Sequence, residues 1–223
     1  MDGILIYMVP GCEDELRKLV ESRKPVVLLG RAPATFQADL VGMDHFTGTR
    51  MAVEYLLSRG HTRVGIIPGP EYRPFTRSRV EGWRAALKGA GIQAVDRNIS
   101  YGDYTVEGGQ TAMARLVALP DRPTAVLGGN FHEVVGILRV LRQFNLRRPD
   151  DIEVMASHDS DVLDAFDPPV SSVEQPVHQI GTRATELLLR RIRQPARPVE
   201  QVLLEPRLKI RTGGEQRRGR ASG

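Results

Sequence analysis

Apolar residues follow two different rhythms along this chain, and each rhythm predicts its own kind of element. Short unbroken apolar runs, such as Val26–Leu29 and Val64–Ile67, predict strands that are buried on both faces. Segments whose apolar residues recur every three or four positions, such as Val106–Ala118, predict amphipathic helices. We predict strands at Ile4–Met8, Val26–Leu29, Val64–Ile67, Ile99–Tyr101, Ala125–Leu127, Ile152–Ala156 and Ser172–Val173, and helices at Glu13–Ser22, Gly48–Arg59, Ser78–Ala90, Val106–Ala118, His132–Phe144 and Val177–Arg193.

The order of these elements predicts the fold class. Short strands alternate with helices, which is typical of an α/β protein with mostly parallel sheets flanked by helices. The closing segment Val199–Gly213 predicts two short strands that are separated at Pro206. With 223 residues, of which 41% are hydrophobic, the chain is long enough for one large domain or two small ones.

The segment Met43–Gly91 carries the most informative local pattern. Asp44 can cap its first helix, Gly60 can end that helix, and the strand Val64–Ile67 follows. Between this strand and the next helix we predict a loop, Glu71–Arg79, with three arginines in nine residues. Ligands of open α/β sheets bind at the carboxyl ends of the strands. We therefore expect a ligand at this loop.

The charge and composition exclude several classes of protein. The net charge is +4, but half of this excess comes from the tail, where Arg217, Arg218 and Arg220 outnumber Glu215. The chain shows no helix-turn-helix, zinc-finger or RNA-binding signature. The single Cys12 excludes an internal disulfide, no apolar run approaches the ~20 residues of a membrane span, and the start lacks the features of a signal peptide. We therefore expect a soluble cytoplasmic protein that does not contact the membrane.

Sequence signatures of enzymes are absent. The chain contains no Gly-x-Ser-x-Gly elbow, no phosphate loop with Gly-Lys-Ser/Thr and no dinucleotide fingerprint, and Cys12 has no histidine nearby. His158, Asp159 and Asp161 lie close together, but loop residues without a further histidine or cysteine are a weak metal signal. We expect no catalysis, no metal and no cofactor.

Several segments resemble one known family in order and spacing, across nearly the whole chain. They are GHTRVGIIPGP with RVEGWRAAL downstream, PTAVLGGNFHEVVGILRVLRQFNLRRPDDIEVM, PPVSSVEQPVHQIGTRATELLLRRI and the closing LLEPRLKIRTG. Together they are similar to the lactose/galactose-repressor (LacI/GalR) family of bacterial transcription regulators. The resemblance implies the two-lobed, periplasmic-binding-protein-like fold (type I), in which parallel sheets are flanked by helices and an effector is held in the cleft between the lobes.

The resemblance also implies how the chain divides. Members of the family begin with a helix-turn-helix headpiece, a hinge and two βα units that precede the position of Met1, where relatives commonly read Val. We therefore expect a misassigned start and an incomplete first lobe. The implied parts are a partial N-terminal lobe (1–43 and 176–203), a C-terminal lobe (44–175 and 204–213) and a disordered basic tail (214–223).

The function implied by the resemblance is ligand sensing and dimerisation in a LacI-type regulator. A sugar or a purine- or nucleoside-like effector would control the binding of a homodimer to operator DNA, through a headpiece that is absent from this chain. The alternative is a periplasmic-type sugar solute-binding protein of a transporter, which shares the two-lobed fold. The closing segment favours the regulator because it resembles the last strand of the repressors.

Two arginines of the predicted loop match the purine-repressor branch of the family. That branch places one arginine at the start of the loop and another six residues later, and here Arg73 and Arg79 occupy these places with Phe75 between them. Five N–H donors let an arginine bind carboxylate, phosphate, purine or sugar oxygens in a bidentate manner. The alternative is an arginine that pairs with a local acid such as Glu71 or Glu81.

Four further residues complete the predicted effector site. Tyr104 stands where the family often places an aromatic that stacks on the effector, and Asp159 matches an acidic residue that accepts hydrogen bonds from ligand hydroxyls. The alternatives are a surface tyrosine in a loop and a cap of a short helix. Relatives usually carry Asn-Asp where this chain has Asn130 and Phe131, so an aromatic replaces an acid there. This departure argues against a generic sugar specificity.

Overall fold

A computed structural model of the chain describes residues 2–7, 11–22, 24–31 and 36–211, so Met1 and the predicted tail lie outside the described residues. The helices of the described part are α1 (Glu13–Glu21), α2 (His45–Ser58), α3 (Pro74–Gly89), α4 (Val106–Val117), α5 (Phe131–Gln143) and α6 (Val177–Arg193). The strands there are β1 (Ile4–Tyr7), β2 (Val26–Leu29), β3 (Asp39–Met43), β4 (Val64–Ile67), β5 (Ala125–Gly128), β6 (Glu153–Ala156), β7 (Ser171–Glu174), β8 (Gln201–Leu204) and β9 (Arg207–Lys209).

The chain forms two compact units. The smaller unit comprises Met1–Asp44 with Pro176–Pro206, and the larger unit comprises His45–Gln175 with Arg207–Gly223, each over its described residues. The chain therefore passes from one unit to the other three times. The assignment of these segments to a partial N-terminal lobe and a C-terminal lobe stays a prediction.

The smaller unit is a four-stranded parallel sheet with the strand order β1-β2-β3-β8. Successive side chains of a strand point to opposite faces of the sheet. Accordingly Val26 and Leu28 of β2 pack with Leu16 of α1, whereas Val27 packs with Leu187 of α6. Because both faces are covered, β2 is apolar at every position, as the unbroken run in the sequence predicts.

The larger unit is a five-stranded sheet with the order β4-β5-β6-β7-β9, parallel except for the antiparallel β9. Helices α4 and α5 share one hydrophobic cluster with Val126 and Val154. Helices α2 and α3 pack against each other, and Gly82 makes this possible because a Cβ there would lie 2.4 Å from the carbonyl oxygen of Phe46. Trp83 is fully buried, and its Nε1 donates to the Val64 carbonyl at 3.0 Å.

Two predictions about strands are wrong. The predicted strand Ile99–Tyr101 makes a single bridge to Ile66, because a short 3₁₀ helix, Asp96–Asn98, immediately precedes it. The strand β3 is missing from our prediction although all its residues are buried. It starts with an acid, Asp39, whose carboxylate pairs with Arg191 at 2.8 Å, and this partner is brought there by the fold alone.

The predicted loop Glu71–Arg79 is wrong in its second half, because α3 begins at Pro74 rather than at Ser78. A proline suits the first helical position, since it has no N–H to satisfy and its φ is already helical. Phe75 therefore lies on the same helix as Arg79, and the side chain of Arg79 is buried.

Candidate functional site

Several sequence-predicted site residues lie at one edge of the sheet in the larger unit. Strands β4, β5 and β6 are parallel, so their carboxyl ends meet at this edge. Pro68 and Gly69 follow β4, Asn130 follows β5, and His158 follows β6. Tyr104 reaches the same edge, because its hydroxyl lies 3.5 Å from the Pro68 carbonyl oxygen.

Arg79 lies at the centre of these groups and is only 3% exposed. Its Nη1 donates to the Pro68 carbonyl at 2.9 Å and to the Tyr104 hydroxyl at 3.3 Å. Its guanidinium carbon lies 5.4 Å from the ring centroid of Phe75, within the range of a cation–π contact. Its Nε is buried and has no acceptor among the described residues. Within the described part of the chain, Arg79 forms no ion pair with Glu71 or Glu81, the local acids that we considered as alternative partners.

Tyr104 is held in an unusual conformation. Its φ is +69°, a left-handed value that is costly for a bulky residue. Its N–H donates to Glu133 at 3.0 Å, and its carbonyl accepts a hydrogen bond from Asn130 Nδ2 at 3.1 Å. Its ring stacks on Phe75 with the centroids 6.1 Å apart. Gly69, with φ +98°, makes room, because a Cβ there would lie 2.3 Å from the tyrosine ring.

Glu133 is the site residue that our reading of the sequence missed. It is fully buried, and its two carboxylate oxygens accept hydrogen bonds from the N–H groups of Tyr104 and Gly129. Burial raises the pKa of Glu133 to about 7, although both N–H groups and the charge of Arg79 act in the opposite direction. The signal in the sequence is the spacing Asn130-x-x-Glu133, which is also typical of an ordinary helix cap.

Two histidines lie within the electrostatic reach of Arg79. The ring of His45 stacks on Phe75 at 5.1 Å, and its Nδ1 is buried without a hydrogen-bond partner among the described residues. Burial lowers the pKa of His45 well below its usual value, and Arg79 and His158 lower it further. The pKa of His158 is lowered by burial and by Arg79. Both rings are therefore neutral at physiological pH.

Arg73, Asn130 and Phe131 also lie near this edge, in different roles. The guanidinium carbon of Arg73 lies 5.3 Å from the ring centroid of Tyr72, and its buried Nε donates to no acceptor within the described ranges. Asn130 caps α5, because its Oδ1 accepts a hydrogen bond from Glu133 N–H at 2.8 Å. Phe131 is half-buried and packs against the hydrophobic core of the unit.

Asp159 is occupied by partners within the protein. Its carboxylate oxygens accept hydrogen bonds from Ser172 at 2.6 Å, Arg211 at 2.7 Å and Lys209 at 3.2 Å. Burial alone would raise its pKa, but these three donors outweigh burial and lower the pKa of Asp159 to about 2. A short 3₁₀ helix, Asp161–Ala165, follows, and the residue at its N-cap is Ser160 rather than Asp159. A contact with an effector stays a prediction for Asp159.

No group of three or more His, Cys, Asp or Glu side chains in the described part of the chain is placed to hold a metal ion. Over the same residues, every helix is too short or too polar to cross a membrane. A cavity of about 420 Å³ in the smaller unit is lined by residues that include Val26, Asp39 and Arg191, and it contains none of the predicted site residues.

The sequence is similar to a known protein family and to several bacterial repressors. A family profile described as a periplasmic binding protein-like domain matches residues 53–212. The ribose operon repressor of Escherichia coli (strain K12) is 36% identical over 182 residues, which are 82% of this chain and 55% of the repressor. The HTH-type transcriptional repressor PurR of Vibrio vulnificus (strain CMCP6) is 29% identical over 213 residues, or 95% of this chain and 64% of PurR. The chain thus spans about half to two thirds of the length of these relatives.

Solved structures lead to the same fold. The structure of the transcriptional regulator CelR in complex with cellobiose matches with a TM-score of 0.86 and 32% identity, over 96% of this chain and 66% of that chain. A regulatory protein of the LacI family from Chloroflexus aggregans matches with a TM-score of 0.87 and 29% identity, over 95% of this chain and 76% of that chain. The predicted α/β fold of periplasmic-binding-protein type, with parallel sheets flanked by helices, is confirmed.

Proposed function

Because this chain belongs to the LacI/GalR family of bacterial transcription regulators, we propose that it is the effector-sensing part of such a regulator. The names of the ribose operon repressor and of the CelR complex with cellobiose support a sugar-like effector, and the aromatic residues of the site are also compatible with a nucleoside. These relatives are regulators rather than transport proteins, so they do not support the alternative of a transporter's solute-binding protein.

The observation that carries this proposal is the environment of Arg79. A buried guanidinium with an unused N–H lies at the carboxyl edge of a parallel sheet, beside two stacked aromatic rings, Phe75 and Tyr104. Such an edge is where ligands of α/β proteins bind. In the proposed site Arg79 and Arg73 donate hydrogen bonds to the effector, and the aromatic pair covers the face of its ring. Asn130 supports the site by holding the Tyr104 carbonyl.

The proposed regulation is a shift in a conformational equilibrium. An effector that binds one arrangement of the regulator more tightly than another favours that arrangement, and it changes the affinity for operator DNA by the same factor in return. Coupling of this kind is typically worth about 1–3 kcal/mol. We place the contacts to DNA in a helix-turn-helix headpiece outside this chain, and we propose a cytoplasmic homodimer without catalytic activity.

Replacement of Arg79 with alanine tests the site. Calorimetric titration with a panel of monosaccharides, cellobiose, purine bases and nucleosides should find a ligand whose binding is lost in Arg79→Ala. The matched control is Arg77→Ala on the same helix, because Arg77 is exposed and pairs with Glu81 at 3.3 Å. An affinity that is unchanged in Arg79→Ala, for every ligand that binds, would contradict the assignment.

The intact mass of the protein from its own cells tests the link to DNA. We expect a product heavier than the 24.7 kDa of this chain, with a helix-turn-helix segment in the additional residues. A product of 24.7 kDa would contradict direct regulation at DNA and would leave ligand binding as the function of the chain.

A further inference from the structure

Two arginines without a carboxylate partner among the described residues lie at the edge of the larger unit where β4, β5 and β6 end. The Nε atoms of both Arg73 and Arg79 are buried without an acceptor among the described residues. Neither guanidinium forms an ion pair with a carboxylate in the part of the chain that the structure describes. Other arginines of this unit do find acids nearby: Arg50 pairs with Glu54, Arg77 with Glu81, and Arg84 with Asp96.

The acids at this edge do not balance these charges. Glu133 lies within electrostatic reach of Arg79, but its oxygens are taken by two backbone N–H groups. Because burial raises the pKa of Glu133 to about 7, it carries only part of a negative charge at neutral pH. Asp159 is fully charged, but Arg211 and Lys209 neutralise it.

The beginning of α3 adds to the positive potential. The N-terminus of a helix carries a partial positive charge, which an acidic residue in the first turn would offset. The first turn of α3 has no acidic residue, and Arg73 stands at its N-cap without a side-chain capping bond. The helix therefore presents its positive end and an arginine to the same edge.

From these three observations we infer that the effector of the proposed regulator carries an acidic group, either a phosphate ester or a carboxylate, that binds Arg73 and Arg79. A neutral sugar would use the hydrogen-bond donors but would leave the charge of the buried Arg79, and that of the partly buried Arg73, uncompensated. An anionic oxygen satisfies both requirements, and guanidinium binds such groups in a bidentate manner. The inference rests on the proposed function, because it concerns the same effector site.

The test compares acidic ligands with their neutral parents. Titrations of the purified protein with D-ribose and ribose 5-phosphate, inosine and inosine 5′-monophosphate, and D-glucose and D-gluconate separate the acidic group from the rest of the ligand. We expect at least one acidic member to bind about 30-fold more tightly than its parent, as for a charge-assisted hydrogen-bonded pair. The gluconate arm distinguishes a carboxylate from a phosphate ester. Inorganic pyrophosphate alone is expected to raise the Tm of the protein.

Substitutions of Arg73 and Arg79 test whether these two residues cause the preference for acidic ligands. In Arg79→Gln and Arg73→Gln the preference for the acidic ligand and the effect of pyrophosphate should disappear, whereas Arg77→Gln should retain both. Arg79→Lys should keep part of the preference, since the charge remains although the planar fork is lost.

Two outcomes would overturn the inference, and they differ in whether the proposed function survives. If neutral parents bind as tightly as acidic ligands, and Arg79→Gln abolishes their binding, the proposed function stands and the acidic effector is overturned. If pyrophosphate stabilises Arg79→Gln and the wild type equally, and no ligand pair binds in a manner that depends on Arg79, both the inference and the proposed function are overturned.

Discussion

Two buried arginines of the larger unit have very different surroundings. Arg211, whose side chain is 5% exposed, forms ion pairs with Asp159 and Asp164. Arg79 is 3% exposed, yet its only described acceptors are a backbone carbonyl and the hydroxyl of Tyr104, and its Nε has none. One arginine has its charge and its donors satisfied by the protein, and the other has not.

This difference separates a structural arginine from a candidate ligand-binding one. Buried charges in proteins are normally paired and hydrogen-bonded, because an unpaired buried charge is costly. Arg211 obeys this rule and connects the segment that follows β9 to the neighbouring β7, since it also donates to Ser172 Oγ. Arg79 departs from the rule at the edge where ligands bind. The two arginines should therefore respond in opposite ways to substitution.

The largest effect is expected for Arg211→Ala. Its removal leaves the partly buried Asp159 with fewer partners and breaks several charge-assisted hydrogen bonds, which together should cost about 3 kcal/mol of unfolding free energy. Urea unfolding measures this loss. The folded fraction of Arg211→Ala should still bind the ligand that the calorimetric panel identifies. Arg207→Ala is the control, because Arg207 is exposed on β9, shortly before Arg211 in the chain, and its change should stay within about 0.5 kcal/mol. Equal stability of the two variants would remove the contrast between Arg211 and Arg79.

The second prediction concerns the pH dependence of stability near Arg79. A carboxyl whose pKa is raised in the folded protein contributes stability below its unfolded pKa, and this contribution is lost as the pH rises through the folded value. For Glu133 the window runs from about pH 4.5 to about pH 7. Between pH 5 and pH 8, Glu133→Gln should therefore gain on the order of 2 kcal/mol relative to the wild type.

Only the difference between Glu133→Gln and the wild type is diagnostic, because His45 and His158 have lowered pKa values and act with the opposite sign. Their folded-state neutrality makes the protein less stable as the pH falls below about 6.5. Parallel pH profiles of the two proteins in thermal unfolding would refute the raised pKa of Glu133.

A third prediction tests the close packing around Glu133. A Cβ at Gly102 would lie 2.0 Å from Glu133 Oε1, so Gly102→Ala must displace the carboxylate that holds the Tyr104 N–H. We expect a loss of about 1–2 kcal/mol in unfolding free energy and weaker ligand binding. In Gly89→Ala nothing lies within 4 Å of the new Cβ, so this variant should be neutral or slightly stabilising. The same loss in both variants would show that packing against Glu133 is not the cause.

The smallest effect is expected for Tyr104→Phe. The hydroxyl is within 3.3 Å of Arg79 Nη1 and 3.5 Å of the Pro68 carbonyl oxygen, so its removal should change stability by about 1 kcal/mol or less. The stacked ring remains, and ligand affinity should fall by less than tenfold. Tyr104→Ala removes the ring and should lower the affinity further. Identical affinities in Tyr104→Phe, Tyr104→Ala and the wild type, measured by calorimetry, would exclude Tyr104 from the site.

Much of the fold could be predicted from the sequence because burial on both faces leaves a direct mark on it. The runs Val26–Leu29 and Val64–Ile67 are strands at the predicted bounds, and α6 has the predicted bounds Val177–Arg193. The separation of the last two strands at Pro206 is also confirmed. In contrast, β3 was not predicted, because its first residue, Asp39, is an acid whose partner Arg191 is distant in sequence.

The candidate site divides in the same way. The sequence by itself determined the family, the α/β architecture and the position of Arg73 and Arg79 after the strand Val64–Ile67, because periodicity and motif spacing are local properties. Only the tertiary structure decided which arginine is neutralised and which is left with unused donors. It also brought the Glu133 carboxylate into hydrogen-bond contact with the Tyr104 N–H. The physical reason is that charge compensation, burial and pKa depend on groups that the fold brings together from distant parts of the chain.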